Sequence, residues 1–143
     1  DEKLLLQQNK SVVLPSTRET GTKGETLAAR YLSSLGFRLV AANFTVPIGR
    51  NSRGAQVTGE IDIIALEGET LCFIEVKTRA SRDFGGPLSA VDLQKQRQII
   101  RTARVYRKIF GLFDIRYRYD VVSVIIPKQG RPEIDLFRDF WSE

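Results

Sequence analysis

Residues 59–79, GEIDIIALEGETLCFIEVKTR, constrain the fold more than any other stretch of the chain. Ile61, Ile63, Ile64, Phe73, Ile74 and Val76 require an interior, and EGE at residues 67–69 supplies a turn between two strands. Yet Glu60, Asp62, Glu75 and Lys77 are threaded among those apolar positions. Side chains on a strand alternate faces, so Glu60 and Asp62 point one way, and Glu75 and Lys77 share a face by the same rule. Pairing Leu66 with Glu69 across the turn sets Asp62 opposite Phe73 and Glu60 opposite Glu75, and opposed residues lie on one face. All four ionisable groups then converge on one patch.

Three acids so close together repel one another and raise each other's pKa unless a cation joins them. Lys77 offsets part of this repulsion, and a divalent metal offsets the rest. Oxygen-only ligands favour Mg²⁺ or Mn²⁺ over zinc. Such an ion activates a water and stabilises charge on a phosphodiester, while a neighbouring lysine orients the water or neutralises developing charge. The pattern thus points to chemistry on a phosphate backbone. The competing reading is an ordinary hairpin with one solvated face, on which Glu75 and Lys77 are surface residues.

The rest of the chain frames this hairpin. The first nineteen residues read as an arm, partly mobile, and residues 20–143 as a single domain. Leu27, Ala28, Tyr31, Leu32 and Leu35 fall on one helical face between Thr20 and Leu35, with Gly36 as the stop. FRLVAANFTV reads as a strand ending near Pro47, and PIGRNSRGAQVT, rich in turn residues, as a loop. SRDFGGPLSA is a second loop before a helix in AVDLQKQRQIIRTARVYRKIF. Ile99, Ala103, Tyr106 and Phe110 share one face of that helix, and Arg97, Arg101, Arg104 and Lys108 the opposite one. IRYRYDVVSVIIP is a strand, and PEIDLFRDFW a short final strand and tail. The order helix, strand, hairpin pair, helix, strand, strand predicts an α/β fold, a central mixed sheet flanked by helices.

Charge and composition narrow the partners. A net charge of +5 and a pI near 9.6 favour polyanions. The four basic residues of the second helix repel one another with no acid beside them, and a phosphate backbone along that face would relieve the repulsion. There is no histidine, which excludes His-dependent triads and the usual zinc sites, and the one cysteine, Cys72, lies in an apolar run as a small hydrophobe. A lone reduced cysteine suits a cytoplasmic protein, and no run is long enough to span a membrane.

GEID followed by FIEVKTR resembles the PD-(D/E)XK nuclease superfamily, with Asp62, Glu75 and Lys77 on its acid, acid and lysine positions. GTKGETLAARYLSSLGFRLVAANF, EVKTR, FGGPLSAVDLQKQRQI and RYDVV are similar in this order to the bacterial YraN-like family, whose architecture resembles archaeal Holliday-junction resolvases. The resemblance covers residues 21–126 and implies a restriction-endonuclease-like core. It also implies that Glu25 adds a further acid to the metal site and that Lys95 and Gln96 approach the scissile phosphate. In that family the first strand usually passes to GEID within a few residues, whereas here VPIGRNSRGAQVT intervenes.

The expected function is that of a metal-dependent endonuclease on branched or flap DNA, leaving a 5′-phosphate. Asp62, Glu75 and Glu25 would bind Mg²⁺ or Mn²⁺, and Lys77 would complete the catalytic set. Arg79, Lys95, Gln96, Arg97, Arg101, Arg104 and Lys108 would contact nucleic acid, with RNA open as a partner. The alternative is a nucleic-acid-binding module that keeps the fold without cutting. Paired cuts in a junction call for a homodimer, its apolar edge supplied by YDVVSVIIP or LFRDFW.

Overall fold

The apolar runs on either side of the 67–69 turn become two neighbouring interior strands of a five-stranded sheet. The computed structural model describes residues 23–82 and 91–143. The elements are α1 (Lys23–Ser34), β1 (Arg38–Arg50), β2 (Gln56–Glu67), β3 (Thr70–Arg79), α2 (Leu93–Ile109), β4 (Arg116–Ile125) and β5 (Glu133–Trp141). The strands lie in sequence order, with β3 and β4 parallel and every other neighbouring pair antiparallel. The one parallel pair is the one joined through a helix, as a crossover requires. The fold is therefore α/β with a mixed sheet.

Each helix covers one face. Ala28, Ala29 and Leu32 of α1 pack on Ile63, Ala65, Cys72, Ile74, Val122 and Val124. Ile99, Ala103 and Tyr106 of α2 pack on Ile61, Ile64, Phe73 and Val121. Tyr106 anchors this second layer, with Phe44 edge-on at 5.0 Å and Phe110 tilted at 4.7 Å between ring centroids. Asp92 caps α2 by accepting a hydrogen bond from the Lys95 amide at 2.8 Å. Gly59 lies where α2 crosses β2, and a Cβ there would fall 1.9 Å from Thr102 Oγ1. Gly59→Ala therefore drives the helix off the sheet or turns Thr102 out of its bond to the Gln98 carbonyl, 2.7 Å long. None of the described helices is long and apolar enough to cross a membrane.

Three sequence expectations change. PIGRNSRGAQVT is a loop only at residues 51–55, because β1 and β2 run on as a hairpin through Val46↔Gly59, Pro47↔Thr58 and Arg50↔Gln56. Pro47 is tolerated because β1 is an edge strand, with a register shift beside it. The β2–β3 turn is two residues, Gly68 (φ 60°) and Glu69, with Glu67 already paired to Thr70. Leu66 thus faces Leu71 rather than Glu69, a slip of two that keeps the faces of the paired residues 63–67 as expected. Glu60, by contrast, lies beyond a break in the alternation of β2 at Asp62 and leaves the expected patch. Finally, YDVVSVIIP forms an interior strand between β3 and β5, so it offers no dimer edge; β5 does. The N-terminal arm and residues 83–90 of the second loop lie outside the described residues.

Candidate functional site

The β2–β3 ladder begins at Glu67↔Thr70 and ends at Ile63↔Ile74. Beyond it the Asp62 side chain takes over, its Oδ2 accepting from the Val76 amide at 2.8 Å. The alternation of β2 breaks at the same residue. Ile61 packs in the cluster under α2, and Ile63, two positions on, in the cluster under α1. Asn43 lies across from Asp62, between the pairs Ala42↔Ile63 and Phe44↔Ile61, at φ 51°. A carboxylate able to accept from the neighbouring strand is what the splitting sheet needs there.

Glu75 projects from β3 beside Asp62 and is 4% exposed. Burial, then the charge of Asp62, pushes the Glu75 carboxyl up to about 8, against the opposing pull of Lys95 and Lys77. Lys77 Nζ lies 3.5 Å and Lys95 Nζ 3.9 Å from Glu75 Oε2. The other oxygen, Oε1, is buried and accepts no hydrogen bond from the protein. Two lysines from different elements thus share one carboxylate oxygen while its twin is left open.

This donor set fits a hard divalent cation. Mg²⁺ takes one or two carboxylates and completes its shell with waters and substrate oxygens, and a buried carboxylate oxygen without a donor suits that role. Among the described residues no three acids, histidines or cysteines gather into a ready metal cage. Glu25 stands half-buried in the first turn of α1 and does not complete such a group with Asp62 and Glu75. Its neighbour Gly24 lies against Thr78, where a Cβ would meet Oγ1 at 1.9 Å, so the start of α1 sits at the Lys77 end of β3.

The structure brings Asp62, Glu75, Lys77 and Lys95 together and spreads the remaining expected residues around them. Lys77 pairs with Glu75 and not with Glu60, which lies on β2 opposite Thr45. Arg79 ends β3 half-buried. Gln96 donates to the Val91 carbonyl at 3.0 Å, which ties the start of α2 rather than reaching outward. The basic face of α2 is only partly free. Arg104 pairs with Glu143 at 3.0 Å, and Arg101 donates to the Ile48 carbonyl, whereas Arg97 and Lys108 are exposed. The expectation of a stripe with no acid to pair it therefore fails at Arg104, because its partner comes from the far end of the sequence. Cys72 is fully buried and its thiol is pushed up to about 12 by desolvation, which makes it inert.

Two features escaped the sequence. Gln98 donates to the Thr58 carbonyl at 3.3 Å and, with Arg101, ties the extended hairpin to α2. Gly49 was the available signal, since its φ of 142° and the Arg101 guanidinium beside it both demand glycine. The second feature is Asp120, fully buried in β4 and held by Arg118 at 2.9 Å.

Known proteins give the chain its relatives. Residues 24–124 match the uncharacterised protein family UPF0102. A UPF0102 protein of Chlorobium chlorochromatii is 41% identical over 85% of this chain and 86% of its own length. One from Geobacter sulfurreducens is 40% identical over 80% and 82%, and one from Solibacter usitatus 42% identical over 82% of each. The family match takes in α1, the split hairpin, α2 and nearly all of β4. The chain belongs to the uncharacterised protein family UPF0102.

Proposed function

We propose that the chain is a metal-dependent endonuclease of the restriction-endonuclease-like type, acting on structured DNA. The observation that carries this reading is the open, buried Oε1 of Glu75 beside the Asp62 carboxylate, with Lys77 and Lys95 flanking it. Carboxyls perturbed in this way, by burial together with specific charged neighbours, cluster at sites that do chemistry. Asp62 and Glu75 would hold Mg²⁺ or Mn²⁺. The ion, when bound, supplies Lewis acidity and a water of lowered pKa.

The chain's own residues do the rest. Asp62 is fixed through Oδ2 by the Val76 amide, which sets the direction of its carboxylate. Lys77, a third exposed, is placed to orient a water or to balance charge on a phosphate oxygen at the mouth. Lys95 sits at the N-terminal turn of α2 and adds a second cation on the approach side. Glu25, an acid in the first turn of α1, is the proposed further acid.

The test is cleavage of duplex, flap, single-stranded and four-way DNA in Mg²⁺ and in Mn²⁺, with Asp62→Asn and Glu75→Gln alongside. Cutting of a branched substrate that both variants lose supports the reading. Binding without cutting in either metal leaves a nucleic-acid-binding module. Sedimentation with the four-way substrate tests the homodimer: a monomer throughout would shift the substrate to a flap or single strand.

A further inference from the structure

Beside the acidic pair lies a groove of about 510 Å³ between the extended β1–β2 hairpin and the first turns of α2. Its walls include Ile48 and Val57 of the hairpin and Lys95, Arg97, Gln98 and Arg101 of the helix. One acid, Asp92, also lines it, but Oδ1 of that carboxylate is engaged by the Lys95 amide as the helix cap. Against that one acid the lining sets three cations, Lys95, Arg97 and Arg101, among neutral residues.

The groove is built rather than incidental. Arg101 donates to the Ile48 carbonyl and Gln98 to the Thr58 carbonyl, one bond to each strand of the hairpin. The tip is closed by its own bonds: Asn51 Oδ1 accepts from the amides of Arg53 and Ala55 at 2.9 and 3.0 Å, and Arg50 donates to the Gly54 carbonyl at 2.8 Å. The hairpin therefore stands as a fixed rail along α2. Lys95 belongs to both places, since it lines the groove and lies 3.9 Å from Glu75.

We propose that this groove binds one strand of DNA by its phosphates and leads that strand to Asp62 and Glu75. The destination rests on the nuclease reading; the binding does not. Charge selects the occupant, because three cations face a trough whose one acid is occupied as a cap. Length agrees as well. Lys95 to Arg101 covers about 9 Å of helix axis at ~1.5 Å per residue, room for a short run of successive phosphates of one strand. The apolar side chains of Ile48 and Val57 give the bases a wall on the opposite side. Arg97, exposed and without a protein partner among the described residues, is the cation left for a phosphate.

The experiment is anisotropy of fluorescein-labelled single-stranded and flap DNA across a salt series in EDTA, where no metal supports cutting. Arg97→Ala should weaken binding and flatten the log–log salt slope by ~0.7, the value for one phosphate contact on a single strand. Arg116→Ala, at the opposite end of β4, should change neither. A photo-crosslinker on Val57→Cys should capture the labelled strand, and the same reagent on Arg116→Cys should not. Equal slopes for Arg97→Ala and the parent, capture from position 116 as strong as from 57, or no binding of either DNA would each overturn the groove. Cleavage is scored separately in Mg²⁺ and Mn²⁺. A positive groove result without cutting sinks the nuclease reading alone, and cutting with an unchanged slope sinks the groove alone.

Discussion

Near the turn end of the sheet, Glu67 and Asp120 face Arg118 and Arg138; toward the other end, Glu75 faces Asp62. Arg138 reaches Glu67 through two bonds of 2.8 and 2.7 Å, and Arg118 bridges Glu67 to Asp120. Asp120 also accepts from the Asp139 amide at 2.8 Å, which fixes the φ 52° kink of β5. Arg138, against the cost of burial and with help from Arg118, holds the Glu67 carboxyl down at about 2, while Glu75 is pushed up to about 8. The sheet thus carries one acidic cluster whose oxygens are taken and one with an oxygen left over. The first is structure, and the second is available to a ligand.

The largest expected effect comes from breaking the satisfied cluster. Asp120→Ala removes a buried acid from between Arg118 and the Asp139 amide, leaving a partly buried guanidinium with only one of its two carboxylates. Such a loss costs about 3–5 kcal/mol. Denaturant unfolding reads it directly. A loss below about 1 kcal/mol would remove the distinction between the two clusters.

Glu75→Gln should move stability the other way. The Glu75 carboxyl keeps its proton to about pH 8 in the fold, but an unfolded glutamate releases it near 4.5. Between those values the unfolded chain binds fewer protons than the native one, so this residue makes the protein less stable as pH rises. The contribution is intact below pH 4.5 and fully lost above 8. Glutamine abolishes that slope and stabilises the protein at high pH by a few kcal/mol, because each tenfold change in proton affinity between the two states is worth ~1.4 kcal/mol. Parallel stability–pH curves for variant and parent over this window would contradict the assignment.

How far these contrasts could be read in advance depends on where each partner sits in the sequence. Asp62, Glu75 and Lys77 were legible because strand alternation and one turn bring them together, and even a register slip of two left them on one side. The apolar face of α2 followed from its period, as Ile99, Ala103 and Tyr106 confirm. What stayed hidden was set by distant partners. Arg104 finds Glu143 and Arg118 finds Glu67, in each case an acid from another strand or from the end of the chain. The hairpin through Pro47 and Gly49 lacks a period, and it is the bonds from Gln98 and Arg101 that help to hold it as sheet.

A smaller energy, but a sharper signature, would accompany binding of the proposed metal. A cation on Glu75 favours its charged form, so Mn²⁺ or Mg²⁺ entering at pH 7 should release close to one proton. Calorimetry in two buffers of different ionisation enthalpy counts it. Glu75→Gln should release none, and an equal count in variant and parent would place the ion elsewhere.

The smallest effect should come from Glu67→Gln. Its partners are strong, but Arg138 is about half exposed, so water screens much of the attraction and the loss at pH 7 should be about 0.5–1 kcal/mol. The sign opposes that of Glu75. A carboxyl held low contributes stability above its unfolded value, and that contribution disappears as pH falls from about 4.5 toward 2. Parent and Glu67→Gln should therefore converge in acid, where the parent loses what the variant never had, whereas parent and Glu75→Gln should converge only below pH 4.5 and part as pH rises toward 8. Acid and alkaline unfolding series on the two variants test the opposition of the clusters directly, and both pairs diverging in the same direction with pH would abolish it.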